Sequence, residues 1–170
     1  MSVTSSPSIT AYRIGDGRYP LFDGRGAMLE GGRWNSPGAP VVYGGLSQAG
    51  AMLEVLAHAG IGRLPRHTQM IVIEIPGSLK VETVDPVTLP GWDHLNNQVS
   101  RAYGDEWLSS QRSVALIVPS VIAPHDKNIV INQMHPDFPR IGSRPPESIR
   151  WDQRHFSHKT KGTIKVKRPV

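Results

Sequence analysis

Residues 24–58 place the strongest constraint on how this chain can fold. They contain a Gly-Gly-Arg-Trp-Asn turn at residues 31–35, a short apolar strand that ends at Tyr43, and a helix that carries Glu54. Frequent glycines and prolines keep each of these elements short. The chain must therefore bring a guanidinium, an aromatic ring and a carboxylate together from successive small elements. Such a set suits a ligand with both phosphates and an electrophilic sugar carbon, and we interpret it as a dinucleotide-consuming site.

The length and composition predict one domain in a reducing compartment. A chain of 170 residues can bury a substantial core. The lack of cysteine excludes disulfides and thiolate metal sites. No run approaches the ~18 apolar residues of a membrane span, and the first ten residues lack the features of a signal peptide. We therefore expect a cytoplasmic protein without membrane contact.

The net charge of +5 is concentrated in the last segment of the sequence. Residues 157–170 hold five lysines and arginines and no acid, whereas the other fourteen basic residues equal the fourteen acidic residues in number. The body of the protein is therefore neutral. A solvated basic tail is favoured over a phosphate-binding arm, and a non-catalytic module that binds nucleic acid through this tail is the remote alternative.

Many short strands and two helices in non-repeating order predict the α+β class. We expect a flexible N-terminus over residues 1–8, then one compact domain over residues 9–156 with a mixed or antiparallel sheet flanked by helices. Apolar alternation predicts strands at residues 9–14, 40–43, 69–75, 113–118 and 128–132, with an edge strand within 149–156. Helices are predicted from the N-cap Ser47 to about Ala59, and over 93–111 with an interruption near Tyr103-Gly104. Loops are predicted at residues 15–32 and 135–146, with irregular structure at 81–89.

Glu54 is the leading candidate for a catalytic carboxylate. On a helical wheel it lies roughly opposite an apolar stripe, which favours a solvated glutamate that pairs with His58. The stripe consists of Ala49, Met52, Leu53 and Leu56. However, residues 46–57 contain no other charged side chain. This pattern fits a helix that is packed on both sides, with one acid directed into a cleft.

Four further side chains are candidates, and each has a purely structural alternative. The glycines before Arg33 would let the backbone approach a ligand while the guanidinium binds phosphate, but a surface arginine beside a turn explains the same residues. Arg13 in the first strand is a second candidate for binding phosphate. Tyr43 is either a stacking platform for a flat ring or a half-buried strand residue. Ser120 either belongs to the site or only forms a hydrogen bond with the backbone at a turn.

Other catalytic motifs are absent from the sequence. The seven histidines show no metal-ligand spacing, so we expect no metal. There is no G-x-S-x-G elbow, no phosphate-binding G-x-x-x-x-G-K-[ST] loop and no G-x-G-x-x-G after a strand. A dinucleotide site in this chain would not be of the Rossmann type.

With these residues identified, the chain resembles the RES-domain family, the toxins of bacterial RES–Xre toxin–antitoxin pairs. The resemblance extends from about residue 9 to residue 156. Its most specific part is GGRWNSPGAPVVY (31–43), followed eight residues later by AMLEVLAH (51–58). The further matching segments are YRI (12–14), GRGAMLE (24–30), LPGW (89–92), YGDEWL (103–108), LIVPSVI (116–122), NIVINQMHPDF (128–138) and IRWDQRHF (149–156).

The resemblance implies an ADP-ribosyltransferase-like α+β fold and NAD⁺ as a consumed substrate. It also implies a cognate Xre-like helix-turn-helix antitoxin as partner. The family's arginines fall on Arg13 and Arg33, its tyrosine on Tyr43, its acid on Glu54 and its serine on Ser120, with Ser110 and Ser113 as rivals. Many relatives have small hydroxylated residues after the tyrosine, where this chain has Gly44-Gly45 and reaches a hydroxyl only at Ser47. Many also have a proline where this chain has Gln133, a change expected to affect only a loop.

On this resemblance, Glu54, Arg33 and Ser120 are the expected catalytic residues, and Arg13, Arg33, Tyr43 and Ser47 are expected to bind NAD⁺. Glu54 would stabilise the cationic ribose that forms as nicotinamide leaves, the arginines would hold the pyrophosphate, and Tyr43 would stack on nicotinamide. We expect ADP-ribose transfer to a protein, for which ribose-phosphate pyrophosphokinase is one target that the resemblance implies. Transfer to water or phosphate, by a glycohydrolase or phosphorylase, is the alternative. A degenerate member that binds NAD⁺ without cleaving it is a further alternative, which the intact Arg33 and Glu54 disfavour.

Overall fold

A computed structural model describes residues 6–60 and 65–156. The predicted basic tail at residues 157–170, and most of the predicted flexible N-terminus, lie outside the described residues. In the described part, one mixed sheet of eight strands is flanked by three helices. The predicted α+β class is therefore confirmed.

The sheet combines five longer strands with three strands of two or three residues. The strands are β1 (Ile9–Asp16), β2 (Val41–Gly45), β3 (Thr68–Ile75), β4 (Val81–Thr83), β5 (Ala115–Pro119), β6 (Lys127–Asn132), β7 (Gly142–Ser143) and β8 (Glu147–Ser148). The strand order is β4-β5-β6-β2-β1-β3-β7, and β8 also pairs with β3. Only the β4–β5 pairing among these strands is parallel.

The helices are α1 (Arg25–Glu30), α2 (Gln48–Ala59) and α3 (Gln98–Ser110), with 3₁₀ turns at Phe138–Arg140 and Gln153–His155. The β2–α2 connection is short because Ser47 caps α2: its hydroxyl accepts a hydrogen bond from the backbone N–H of Gly50. The five longer strands and the capped helix agree with the sequence predictions to within two residues at each end.

Two apolar layers cover the faces of the sheet. Along β6, Ile129 and Ile131 belong to one buried cluster and Val130 to the other, because successive strand side chains point to opposite faces. Trp34 and Trp107 belong to the second cluster, together with Tyr43. The Gly-Gly-Arg-Trp-Asn turn is therefore anchored in the core through its tryptophan.

Strands β1 and β2 share a single register pair, Tyr12 with Gly45. By contrast, β1 pairs with β3 over eight residues and β2 pairs with β6 over five. Next to this pair, the Arg13 guanidinium bonds the Tyr43 carbonyl oxygen of the neighbouring strand, with Nη1 donating at 3.0 Å. We call this weakly paired boundary between β1 and β2 the seam.

Several predicted elements were wrong. The predicted loop at residues 15–32 contains α1, and the segments 81–89 and 135–146 contain β4 and β7. The predicted edge strand within 149–156 is absent, because the pairing with β3 is made by the preceding residues Glu147–Ser148 and a 3₁₀ turn follows.

The predicted interruption of the third helix was also wrong. Helix α3 runs without a break through Tyr103-Gly104, and it starts later than predicted, after Asn97 in the left-handed conformation. A Cβ at Gly104 would overlap the carbonyl oxygen of Trp34 and lie 2.7 Å from its carbonyl carbon. The glycine therefore allows the helix to contact the Trp34 backbone and does not end it.

Candidate active site

Glu54 lies on α2, and the β5–β6 hairpin holds its carboxylate. Its Oε1 accepts hydrogen bonds from Ser120 Oγ at 3.1 Å and from Asn128 Nδ2 at 2.7 Å. None of the hydrogen bonds among the described residues involves Oε2. The carboxylate is thus fixed through one oxygen and keeps the other available for a ligand.

The helical-wheel expectation for α2 was wrong. Ala51 is the buried residue of this helix, whereas Ala49 is exposed and Leu53 is 41% exposed. Glu54 follows Ala51 by three residues, so both face the sheet. His58 does not pair with the carboxylate; its Nδ1 donates to the backbone oxygen of Glu54 at 2.7 Å.

Ser120 is the serine that meets Glu54. It is 4% exposed, and its Oγ also accepts a hydrogen bond from the backbone N–H of Ala123. The hydroxyl of Ser110 donates to the Trp107 carbonyl oxygen in its own helix, and that of Ser113 accepts from the Trp107 indole N–H. The geometry therefore favours Ser120 over its two rivals.

Ser47 has structural partners for its hydroxyl. Besides capping α2, it donates to Asp126 Oδ2 at 2.6 Å. Asp126 belongs to the turn between β5 and β6, so this contact joins the start of α2 to the hairpin that bears Ser120. The role of Ser47 in binding NAD⁺ stays a prediction.

Arg13 is a largely buried cation at the seam. Its Nη1 donates to the Tyr43 carbonyl oxygen, and its Nε is buried without a hydrogen-bond partner among the described residues. Burial lowers the pKa of the Arg13 guanidinium from its ordinary value, while the carboxylate of Asp23 raises it. The incompletely paired guanidinium is a suitable donor for an anion that enters the seam.

Tyr43 organises the Gly-Gly-Arg-Trp-Asn turn. Its hydroxyl donates to Asn35 Oδ1 at 2.7 Å and accepts from the backbone N–H of Trp34 at 3.0 Å. Burial raises the pKa of this hydroxyl, so it stays protonated and keeps donating. A Cβ at Gly32 would lie 2.6 Å from the tyrosine oxygen, which explains why a glycine is needed there. Stacking of Tyr43 on nicotinamide stays a prediction.

Arg33 directly precedes Trp34 and Asn35, the two residues that bond the Tyr43 hydroxyl. Its Nη1 donates to the carbonyl oxygens of Trp92 at 3.1 Å and His94 at 3.0 Å. The turn is held from the other side by Arg101, whose Nε donates to the Gly32 carbonyl oxygen at 2.8 Å. Within residues 6–60 and 65–156, the Nε and Nη2 atoms of Arg33 have no hydrogen-bond partner, so part of the guanidinium is available to a phosphate.

The predicted residues form two hydrogen-bonded groups: Glu54 with Ser120, and Tyr43 with Arg13 and the turn that carries Arg33. Asn128, which holds Glu54, is the register partner of Gly45, and Gly45 is the partner of Tyr12 next to Arg13. Two strand spacings of ~4.8 Å therefore separate the Asn128 and Tyr12 backbones, about 10 Å in total. Among the described residues, Glu54 has no hydrogen bond or ion pair with either arginine.

A separate groove of about 510 Å³ lies at the opposite end of β6, beside Asn132. Its walls include Met28, Leu108 and Met134, and its one carboxylate, Asp105, is already bound by the N–H and hydroxyl of Ser36. None of the predicted site residues lines this groove. It suits a charged dinucleotide less well than the group around Glu54.

No group of three or more His, Asp or Glu side chains in the described part is placed to hold a metal ion. None of the helices formed by residues 6–60 and 65–156 is long and apolar enough to cross a membrane.

The fold and the site define a small α+β domain in which two hydrogen bonds hold a glutamate carboxylate beside a sheet whose β1 and β2 strands share a single register pair. Comparison of the sequence with known families specifies it further: the chain belongs to the RES domain family, which matches residues 10–152. The resemblance seen in the sequence is thus confirmed.

Similar proteins are described as toxins. The chain is 40% identical over 137 residues to the "Prs ADP-ribosylating toxin" of Sphingobium sp. (strain YBL2), which covers 78% of this chain and 85% of that protein. It is 36% identical to "Toxin Res" of Photorhabdus laumondii, over 75% of this chain and 83% of the relative. The fold is similar to that in the crystal structure of the M. tuberculosis MbcT–MbcA toxin–antitoxin complex, with a TM-score of 0.69, 18% identity and 85% of each chain covered.

Proposed function

We propose that this chain is the toxin of a toxin–antitoxin pair, and that it cleaves the nicotinamide–ribose bond of NAD⁺ and transfers ADP-ribose to a protein. The observation that carries the proposal is the Glu54 carboxylate, whose Oε1 is held by Ser120 and Asn128 while Oε2 has no partner among the described residues. The relative described as "Prs ADP-ribosylating toxin" supports the reaction, and the relative described as "Toxin Res" supports the role as a toxin.

Glu54 acts on the charge that develops in the reaction. Nicotinamide leaves as a neutral molecule, so positive charge builds up on the ribose carbon and its ring oxygen. A carboxylate that is already oriented by two hydrogen bonds stabilises this charge without having to reorganise. Ser120 and Asn128 hold Oε1, and Oε2 contacts the ribose or aligns the acceptor.

The arginines orient the substrate. Arg33 offers the Nε and Nη2 atoms that no described residue binds. Arg13 offers its Nη2 atom, because its Nη1 is bound to the Tyr43 carbonyl oxygen and its Nε is buried. Two guanidiniums on the pyrophosphate would fix the ribose relative to Glu54, which supplies the proximity that the reaction needs.

The surroundings of the site support an antitoxin partner. Leu53 on α2 and Val121 and Ile122 on the hairpin are 41%, 42% and 38% exposed, and they flank the contact between Glu54 and Ser120. A partner that buries these apolar side chains also covers the carboxylate. We propose that this partner is an Xre-like helix-turn-helix antitoxin and that the pair acts in the cytoplasm.

Labelled NAD⁺ tests the proposed reaction. The protein is incubated with adenylate-labelled NAD⁺ and either host lysate or purified ribose-phosphate pyrophosphokinase, and both labelled protein and free nicotinamide are measured. We expect a labelled protein band and nicotinamide release. Free ADP-ribose as the sole product would identify water as the acceptor, and a phosphorylated ADP-ribose formed when phosphate is added would identify phosphate.

Glu54→Gln links the reaction to the site. The glutamine oxygen can still accept from Ser120 and Asn128, so the fold is kept while the charge is lost, and nicotinamide release should fall about 100-fold or more. Glu74→Gln, a change of the same chemistry at an exposed residue that pairs with Arg144, is the matched control. Full turnover by Glu54→Gln, or no nicotinamide release by the wild type, would refute the proposed mechanism.

A further inference from the structure

The contacts of Glu54 join two parts of the fold that are far apart in sequence. The carboxylate is on α2, whereas Ser120 and Asn128 are on the β5–β6 hairpin. The distances from Glu54 to these two residues therefore depend on where α2 lies along the hairpin, and a shift of either element would move the carboxylate away from both. A second connection between the helix and the hairpin is needed to fix that position.

Asp126 forms such a connection at the start of the helix. Its Oδ2 accepts from Ser47 Oγ at 2.6 Å, and the same Oγ accepts from the backbone N–H of Gly50. A Cβ at Gly50 would overlap Asp126 Oδ2, so the glycine admits the carboxylate to the first turn of α2. A negative charge there is also favoured by the helix dipole.

Asp126 also closes the turn that presents Ser120. Its backbone oxygen accepts from the Ser120 N–H at 3.2 Å, its N–H donates to the Ala123 carbonyl oxygen at 2.8 Å, and its Oδ1 accepts from the Lys127 N–H at 2.8 Å. The backbone of Asp126 therefore closes the turn, while its side chain supports the turn through Oδ1 and attaches it to α2 through Oδ2.

We propose that Asp126, acting through Ser47, is a positioning residue that holds Glu54 in register with Ser120 and Asn128. Glu54 is seven residues after Ser47, about 10 Å further along the helix axis at 1.5 Å per residue. Two attachments this far apart fix both the translation and the rotation of α2 against the hairpin. Both carboxylate oxygens of Asp126 are engaged by the protein, so it acts through Glu54 and not on the substrate.

The proposal rests on the proposed NAD⁺ cleavage for its kinetic test. Asp126→Ala should lower kcat for nicotinamide release about tenfold or more, because small displacements of catalytic groups are costly, and should change KM for NAD⁺ less than about twofold. Asp126→Asn keeps an acceptor for Lys127 and a group that can pair with Ser47, so it should restore kcat to within about threefold of the wild type. Ser47→Ala added to Asp126→Ala should cause little further loss, because the two residues act as one unit.

Asp85→Ala is the matched control. Asp85 also accepts a backbone N–H within its own turn, from Val87, but none of its hydrogen bonds among the described residues reaches α2 or the β5–β6 hairpin, so its substitution should leave kcat unchanged. A residue that only stabilised the fold would lower the unfolding temperature and leave the kcat of the folded fraction intact. An unchanged kcat in Asp126→Ala, or a loss confined to KM, would overturn the proposal.

Hydrogen exchange tests the same contact independently of any activity measurement. Amides of residues 120–127 should exchange about tenfold faster in Asp126→Ala than in the wild type, whereas those of β3 should not change. If the wild type fails to consume NAD⁺ but the hairpin amides lose protection, the proposed function fails and the positioning contact stands. If their protection is unchanged, the positioning proposal fails whatever the activity.

Discussion

Replacing Gly104 with alanine tests how closely α3 packs against the turn that carries Arg33. Intrinsic propensity predicts a gain of up to about 1 kcal/mol, because alanine favours a helix interior over glycine. The structure predicts the opposite sign. A Cβ at this position overlaps the Trp34 carbonyl oxygen and lies 2.7 Å from the carbonyl carbon, so the helix or the turn must move by more than about 1.5 Å for the oxygen to reach an ordinary contact distance.

The energetic cost of this movement exceeds the gain in propensity. Overpacking a well-packed site costs about 1–3 kcal/mol. The displaced helix also carries the fully buried Trp107 and the Arg101 guanidinium that bonds the Gly32 carbonyl oxygen, a charged hydrogen bond that contributes about 1.5–3 kcal/mol. We expect a net destabilisation of about 3 kcal/mol, which is about 6–12 °C in Tm for a domain of this size.

Gly26→Ala is the internal control for Gly104→Ala. Gly26 also lies in a helix, but no atom comes within 4 Å of a Cβ built on it, so its substitution should be neutral or stabilise by up to about 1 kcal/mol. Calorimetry of the two variants and the wild type gives the comparison. Equal unfolding temperatures for both alanine variants would refute the reasoning about the contact of α3 with Trp34.

Three further predictions concern the seam and the rim of the site. Tyr43→Phe leaves Asn35 and the Trp34 N–H without their partner and should destabilise the protein by about 2 kcal/mol, measured by urea unfolding. Because burial raises the pKa of Tyr43, this difference should persist up to about pH 10. It should shrink at higher pH, where the tyrosine ionises in the unfolded chain before it does in the folded protein. Arg13→Lys loses the forked donor at the seam and should raise KM for NAD⁺ about tenfold in the nicotinamide assay, with an unchanged KM as the contrary result. Leu53→Asp should leave NAD⁺ turnover intact and weaken antitoxin binding about tenfold in a titration; unaltered binding would place the antitoxin elsewhere.

The sequence predicts the larger strands well because their signals are local. The segments that became β3, β5 and β6 are apolar runs bounded by prolines, glycines or polar turns, and such runs need no knowledge of the tertiary fold. Helix α1 gave no such signal, because it has only six residues and none of them is buried. A periodic pattern cannot develop over so short a surface helix.

The orientation of Glu54 depends on tertiary contacts that hydropathy does not reveal. A Cβ at Gly45 would lie 3.0 Å from the Ala51 nitrogen, so two small residues allow α2 to lie directly on the end of β2. The face that bears Ala51 and Glu54 is therefore turned inward, although the larger apolar side chains lie elsewhere on the wheel. Close approach of the backbones outweighed the hydrophobic stripe.

Asn128 and Asp126 were missed by sequence reasoning for a related reason. Asn128 was identified only as the first residue of a strand, and its position opposite Gly45 follows from the β2–β6 register. Asp126 was not distinguished from other turn aspartates, because its partner Ser47 is 79 residues away in the chain. The signal that could have found them is a polar residue at each end of a turn that follows a buried strand.

The single register pair between β1 and β2 divides the sheet into two blocks, β4–β5–β6–β2 and β1–β3–β7–β8, that share one rung. The hairpin that anchors Glu54 belongs to the first block, and Arg13 belongs to the second. A dinucleotide that binds residues of both blocks becomes a cross-link between two parts of the sheet that share a single register pair. Saturation with such a ligand should therefore raise the melting temperature of the whole domain, and cohesion of the sheet and occupancy of the site rise together.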